Sequence, residues 1–505
     1  MNIKPTLSVL LPAALMSLAV LYVAACGGTQ QPKPIPTFTP SMTESQPSPI
    51  PTSTPSMTES QPSPIPTSTP SMTESQPSPI PTSTPPMMKQ PKAPPTPTTF
   101  ATSTNYDPFP DNLLSAFKAA VDLEFAAAPE KAGISVAVYT DSTLWTYATG
   151  QADETIAMTT KTPLFISSTS KTFLSALILT QLESGLYKLT DSLGTVLSNH
   201  PDFPSFASDK INPEVTIEEM LTMSSGLPNF NENRQGLGKT FSKPLWKPSD
   251  LINLAQSKFV APGTYEYNDT NPVLLGLIAE LYADQGLADL YRQTFYGPLG
   301  ITAITLPEEG LSWHPDVFND QGDKVTVPKI AMPYGIYKNP SGGVSDFGNM
   351  VQSAPWEFGY YVAGQGRNRY ACCGIVSTPE NMARWAYELY GSNGSAISES
   401  TRADLLNSFS DKRIPPWNGP RIPAEAYGYL IAKKLFLLPS GREITAYGHR
   451  GGGAGYSAWM HYSPDLDLSI SILANSNLKL TGTCGVQDLG NCIALSIFDS
   501  YSNNP

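Results

Sequence analysis

Charged residues make up only 15% of this 505-residue chain, and its 31 lysines and arginines are outnumbered by 43 aspartates and glutamates. With a formal net charge of -12 and no basic run or stripe, a nucleic-acid-binding surface is excluded as a class. Histidine is scarcer still: His200, His314, His449 and His461 are scattered, with no H-x-x-x-H or H-x-H pair. That removes the spacing of a histidine metal site, so no metal and no other cofactor is expected.

What the chain has in excess is proline, 50 residues unevenly spread. Its start reads as an export segment: Lys4, an apolar run from Leu7 to Ala25, then Cys26 with small residues before it and Gly27 and Gly28 behind. This resembles the bacterial lipobox, in which the chain is cut before the cysteine and the thiol carries a diacylglycerol. Residues 1–25 are then a lipoprotein signal peptide and Cys26 is the lipidation site. The alternative is an uncleaved transmembrane anchor, since about 19 apolar residues just span a bilayer. Both readings place the rest outside the cytoplasm, so the expected location is the cell membrane, lipid-anchored and facing the extracytoplasmic side.

Residues 26–104 continue as a Pro/Ser/Thr-rich segment carrying the repeat PSMTESQPSPIPTST at 40–54, 55–69 and 70–84. The repeats hold almost nothing that could form a core, so this is a tether. In extended polyproline II form, roughly 75 residues at ~3.1 Å each reach on the order of 200 Å, enough to cross a cell-wall layer. A spacer of no specific length is the alternative reading.

Residues 105–505 are ordinary in composition and read as one catalytic unit. It opens with a helical stretch, Leu113 to Ala128, then the strand-like runs GISVAVYT and STLWTYATG joined by a turn at Asp141. It closes with GYSAWMHYS and LDLSISILANS, joined at Pro464 and Asp465. Helix and loop lie between. The expected fold is α/β: an antiparallel sheet in which the first and last strands pair, flanked by helices, with an inserted mainly helical region. Of the cysteines past Cys26, Cys484 with Cys492 is the simplest disulfide. Four cysteines allow three pairings, and the adjacent Cys372 and Cys373 could each bond elsewhere.

The densest chemistry lies in PLFISSTSKTFLSALIL, Pro163 to Leu179, where Ser168 and Lys171 fall one helical turn apart at the start of an apolar helix. Free N–H groups there favour a developing oxyanion and disfavour a protonated lysine, so Lys171 could accept the Ser168 proton. A capping serine beside a surface lysine fits the same spacing, and Ser476 with Lys479 repeats the pattern with no helix behind it. Company lifts the first match: Tyr267-Asn268-Asp269 precedes the apolar run VLLGLIAELY, and Tyr447-Gly448-His449-Arg450-Gly451-Gly452 comes just before the C-terminal strands. No helix start or G-K-[ST] follows Gly451 to Gly453, so those glycines do not read as a phosphate cradle. They let a substrate backbone lie against an edge strand.

This ordered set resembles the beta-lactamase-related serine hydrolases, in the branch with class C beta-lactamases, D-alanyl-D-alanine carboxypeptidases, D-aminopeptidases and family VIII esterases. Those carry S-x-x-K, Y-x-N, and H-x-G or K-T-G in that order. Val215 to Pro228 is similar to the family's "ITIRHLLTHTSGLP" stretch, and Gly374 to Thr378 to its "GGLVST" stretch. The resemblance implies a beta-lactamase/transpeptidase-like fold, with Ser168 as nucleophile, Lys171 as its activating neighbour and Tyr267 as proton shuttle. It implies an oxyanion hole from the backbone N–H groups of Ser168 and Gly452, with His449 on the opposite wall to orient a substrate carboxylate or assist proton transfer. Asp269, Gly451 and Arg450 are the expected substrate-binding positions, Arg450 only if it meets a carboxylate.

The departure from the pattern is Asp269, where the family's usual residue is asparagine. An ionised Asp only accepts hydrogen bonds, so it favours an ammonium at Lys171 and weakens the grip on a substrate amide. The leading expectation is a D-alanyl-D-alanine carboxypeptidase-like peptidase acting on peptidoglycan stem peptides. The alternatives are a small acyl-ester esterase or weak beta-lactamase, and a penicillin-binding sensor or non-catalytic protein.

Overall fold

The structure, a computed structural model, describes residues 106–505 except 129–131, 207–208, 234–235, 237–246, 306–316, 319–323, 326–330, 332–369, 410–423, 454, 477–481, 486–487 and 505. The expected signal peptide, Cys26, the tether and Lys479 lie outside the described residues. Among the described residues no helix is long and apolar enough to cross a membrane.

Helix α1 (Asp111–Ala127) buries Leu113, Phe117, Ala120, Val121 and Glu124, a spacing that keeps one face turned inward. The hairpin of β1 (Ile134–Tyr139) and β2 (Leu144–Thr149) follows, turning where Thr140 N–H donates to the Thr143 carbonyl at 3.0 Å. After β3 (Leu164–Phe165) a single 3-10 turn, Ser167–Ser170, runs into α2 (Lys171–Glu183). Helix α3 (Thr270–Ala283) and strand β4 (Ala303–Thr305) lead to a short antiparallel pair, β5 (Val317–Phe318) and β6 (Lys324–Val325). Then come β7 (Ile375–Ser377) and α4 (Pro379–Tyr390). The chain ends with β8 (Ala424–Tyr427), β9 (Ala432–Leu437), β10 (Glu443–Gly453), β11 (Tyr456–Ser463), β12 (Leu468–Ala474) and α5 (Leu489–Ser502).

Among the described residues the main sheet has seven strands in the order β2-β1-β12-β11-β10-β9-β8, every pair antiparallel. The first strand lies beside the last, Ile134 opposite Ala474 and Tyr139 opposite Ser469, as the sequence leads one to expect. Because successive side chains leave a strand on opposite faces, each central strand feeds two cores. Ile134, Val136 and Val138 join Ile470, Ile472 and Trp459 in the core under α1 and α5, while Ala137 and Tyr139 join Ala458, Met460 and Tyr462 in the larger core with α2, α3 and α4. The inserted region is not helix and loop alone: β3, β7 and β4 form a small sheet of their own. Runs of two or three residues are too short to show the alternation that marks a strand.

The Cys484–Cys492 pairing holds, with Cα atoms 5.5 Å apart, whereas Cys372 and Cys373 are buried thiols outside any disulfide.

Candidate active site

Each hydroxyl of Ser167-Ser168-Thr169-Ser170 has a separate task. Ser167 Oγ donates to the Gly453 carbonyl at 3.5 Å and Thr169 Oγ1 to the His449 carbonyl at 3.4 Å, fastening the turn under β10. Ser170 Oγ accepts from the Ile375 N–H at 3.1 Å, fastening it to β7. Ser168 alone is left facing the chemistry, and its Oγ accepts from Lys171 Nζ at 3.1 Å. The turn is held under strain: Ser167 has φ of 47°, in the left-handed region that non-glycine residues seldom occupy.

Lys171 is fully buried. Its Nζ also donates to Asp269 Oδ1 at 2.6 Å and to the Cys372 carbonyl at 3.1 Å, and lies 3.8 Å from Cys373 Sγ. Burial works to depress the ammonium, but the Asp269 carboxylate overrides it, with Cys373, Tyr267 and Cys372 adding, and Lys171 is held well above the usual lysine range. The resting lysine is therefore a donor to Ser168 and must lose a proton before it can act as a base.

Asp269 stands immediately before α3 without capping it. That task falls to Asn268, whose Oδ1 accepts from Thr270 N and Asn271 N at 3.1 and 3.0 Å, freeing Asp269 to turn toward the lysine. Its other oxygen accepts from Asn231 Nδ2. Both carboxylate oxygens are engaged inside the protein, one by Lys171 and the other by Asn231.

Tyr267 keeps 36% of its surface exposed and lies with its ring centroid 4.9 Å from Lys171 Nζ. Crowding of its phenol pushes it above the usual phenol range, against the pull of the Lys171 ammonium, so it rests neutral. The stretch Thr222 to Gly226 braces this loop: Glu266 N–H donates to the Met223 carbonyl at 2.8 Å and Gly263 N–H to the Ser224 carbonyl at 2.7 Å.

On β10 the expected residues separate. Gly451 faces the serine turn so closely that a Cβ there would lie 2.0 Å from the Ile166 carbonyl oxygen and 3.1 Å from Ser168 N. A glycine is needed for strand and turn to meet at bare backbone. Gly452 has nothing within 4 Å of where its Cβ would be, leaving that side of the strand open.

His449 is buried beside Tyr427 and Tyr267, with ring centroids 5.7 and 6.1 Å away. Its Nδ1 lies 2.6 Å from the Arg450 carbonyl, which can only accept, so Nδ1 carries the proton and Nε2 accepts from Tyr427 Oη at 3.0 Å. Burial, then the Lys171 charge, pushes the imidazole down to about 3. A neutral ring with both nitrogens engaged has no free donor for a carboxylate, which bears on the carboxylate-orienting half of the expected role and leaves the proton-transfer half standing.

For Arg450 the expected role is corrected. One residue along the strand it leaves by the other face, where its Nη1 pairs with buried Asp488 Oδ2 at 2.7 Å and its guanidinium lies 5.6 Å from the Trp459 ring. Two neighbours of Ser168 come unannounced. Cys373 Sγ is 3.6 Å from Ser168 Oγ, and Cys372 supplies its carbonyl to Lys171. The position of both just before the Gly374 to Thr378 stretch was the available signal.

The site is thus a serine hydroxyl on a strained turn, with a buried lysine–aspartate pair beneath it and a tyrosine beside it. A curated "Beta-lactamase" of Pseudomonas fluorescens is 29% identical over 220 residues, which cover 42% of this chain and 57% of that protein's length. Among solved structures, D-amino acid amidase from Ochrobactrum anthropi SV3 superposes with a TM-score of 0.57 at 17% identity, over 78% of this chain and 99% of that one. D-stereospecific amidohydrolase from Streptomyces sp. gives a TM-score of 0.52 at 17% identity, over 77% and 99%. These two show a shared fold. The family model described as Beta-lactamase matches residues 121–484, a span that holds Ser168, Lys171, Tyr267 and His449 together, and the chain belongs to this family of beta-lactamase-related serine hydrolases.

Proposed function

We propose that the protein hydrolyses small uncharged acyl esters or amides through an acyl-enzyme on Ser168. The observation that carries this reading is the contact of Ser168 Oγ with Lys171 Nζ at 3.1 Å at the mouth of a helix, with Tyr267 alongside. Once the Lys171–Tyr267 pair has given up one proton to solvent, Ser168 Oγ attacks the acyl carbon as its own proton passes into the pair. The backbone N–H groups of Ser168 and Gly452 take the developing oxyanion, and the pair returns the proton to the leaving group. Water then repeats the sequence on the ester.

The preference for uncharged substrates follows from the two groups expected to receive a carboxylate. Arg450 is spent on Asp488 behind the sheet, and His449 is neutral with both nitrogens engaged. A D-alanyl-D-alanine carboxypeptidase acting on cell-wall peptides is the second reading. It is favoured by the lipobox-like Cys26 and a proline-rich tether of wall-crossing length, which also support a lipid-anchored, extracytoplasmic location.

Four substrates separate these readings: a para-nitrophenyl ester, a D-amino acid amide, a diacyl tripeptide ending in D-Ala-D-Ala and a chromogenic cephalosporin. The ester or amide is expected to turn over fastest, and Ser168→Ala is expected to lower that rate by ~10³ or more. Hydrolysis unchanged in Ser168→Ala sinks the mechanism. Faster release of D-alanine than of nitrophenol replaces the first reading with the second. Labelled penicillin retained on Ser168 without turnover of any substrate points to a sensor.

A further inference from the structure

Acyl transfer leaves two reactive side chains at this site unused. Asp269, Cys372 and Cys373 are all buried, and a carboxylate oxygen and the two sulfurs lie within 4.8 Å of one another. Their meeting place already holds a cation, because Lys171 Nζ touches Asp269 Oδ1, the Cys372 carbonyl and Cys373 Sγ at 2.6, 3.1 and 3.8 Å. Sequence spacing could not show this set, since Asp269 comes from the start of α3 and the cysteines from the one-turn helix Tyr370–Cys373.

Two thiolates and a carboxylate are the donors of a thiophilic divalent ion of the zinc class, and the Cys372 carbonyl or Ser168 Oγ stands ready as a fourth. We propose that such an ion binds Asp269, Cys372 and Cys373, displaces the Lys171 ammonium and switches off Ser168. Two S–H bonds are exchanged for two S–metal bonds and both protons leave to solvent. The ion's two positive charges replace the two protons, so the net charge of the site is unchanged. Lys171 loses its hold on Asp269, and with it the position beside Ser168 Oγ. Binding is measurable whether or not the acyl hydrolase reading stands, so the two can fail separately.

The test uses the full chain with Cd²⁺ as optical probe and Zn²⁺ as inhibitor. Wild type is expected to bind one Cd²⁺ with a thiolate-to-metal charge-transfer band in the ultraviolet. Zn²⁺ is expected to suppress hydrolysis in parallel and a chelator to restore it. Cys372→Ser/Cys373→Ser should abolish the band, a comparison that also subtracts any contribution from Cys26. Cys373→Ser alone should weaken Cd²⁺ binding tenfold or more, which keeps the test decisive should the double variant not fold. No band in wild type, or an equal band in the cysteine variants, overturns the site. Stoichiometric Zn²⁺ binding that leaves hydrolysis intact overturns the switch.

Discussion

Lys171 carries two opposed influences, a fully buried position that favours the amine and an Asp269 carboxylate 2.6 Å away that favours the ammonium. The carboxylate wins, so a step that needs the free amine gains rate as pH rises and loses it as pH falls. Asp269→Asn removes the winning influence and leaves burial unopposed. The acidic limb of the kcat/KM profile, recorded with a chelator present, should then move to lower pH by a unit or more. An unmoved limb means that Lys171 is not the group titrating. At this scale the sequence is legible where function is local, as with Ser168 and Lys171 one turn apart. It misleads at Arg450, since residues adjacent in a strand point to opposite faces and a motif read as one unit is split between cleft and core. The Asp269–Cys372–Cys373 grouping was illegible because nothing in spacing brings α3 to the Tyr370–Cys373 turn.

The meeting of β10 with the serine turn is an element-level contact, and a single methyl group breaks it. In Gly451→Ala the new Cβ would fall 2.0 Å from the Ile166 carbonyl, backbone that cannot swing aside as a side chain could. The turn must then retreat from the strand, carrying Ser168 N and Oγ with it. A displacement near 1 Å in a reacting group costs on the order of 10²-fold in rate, so kcat should fall by about that factor while far-ultraviolet circular dichroism stays unchanged. Wild-type kcat in Gly451→Ala rules out close approach as the reason for this glycine. The long elements were legible: α1, α2 and the hairpins at both ends of the domain announce themselves by apolar pattern and by turn residues. The strands β3, β4 and β7 did not, and yet β7 holds the serine turn through Ser170.

Across the whole molecule, the two cores on either side of the seven-stranded sheet bury imidazoles as neutral rings. His461 is almost fully enclosed, its two ring nitrogens have no partner among the described residues, and burial pushes it well below the usual histidine range. The unfolded chain binds a proton at each such histidine near pH 6.5 and the native state does not, so stability is retained above that pH and lost as pH falls below it. Each buried imidazole adds a slope approaching ~1.4 kcal/mol per pH unit. Denaturant melts between pH 7 and pH 5 should show this loss, and His461→Leu should flatten it, leaving the part due to His449. A slope the same in His461→Leu as in wild type assigns the acid sensitivity elsewhere.

The pairing of β1 with β12 also sets the order of events in folding. Strand β1 waits for a partner more than three hundred residues downstream, and α1 waits for α5, the last helix of the chain. Contacts at such separation form late and slowly, so a growing chain cannot complete its central sheet until β12 is available. Until then β1 has only β2 beside it and an unpaired edge on its other side. Synthesis therefore runs more than three hundred residues past β1 before that edge can be closed, and the strand stays open to other partners for all of that time.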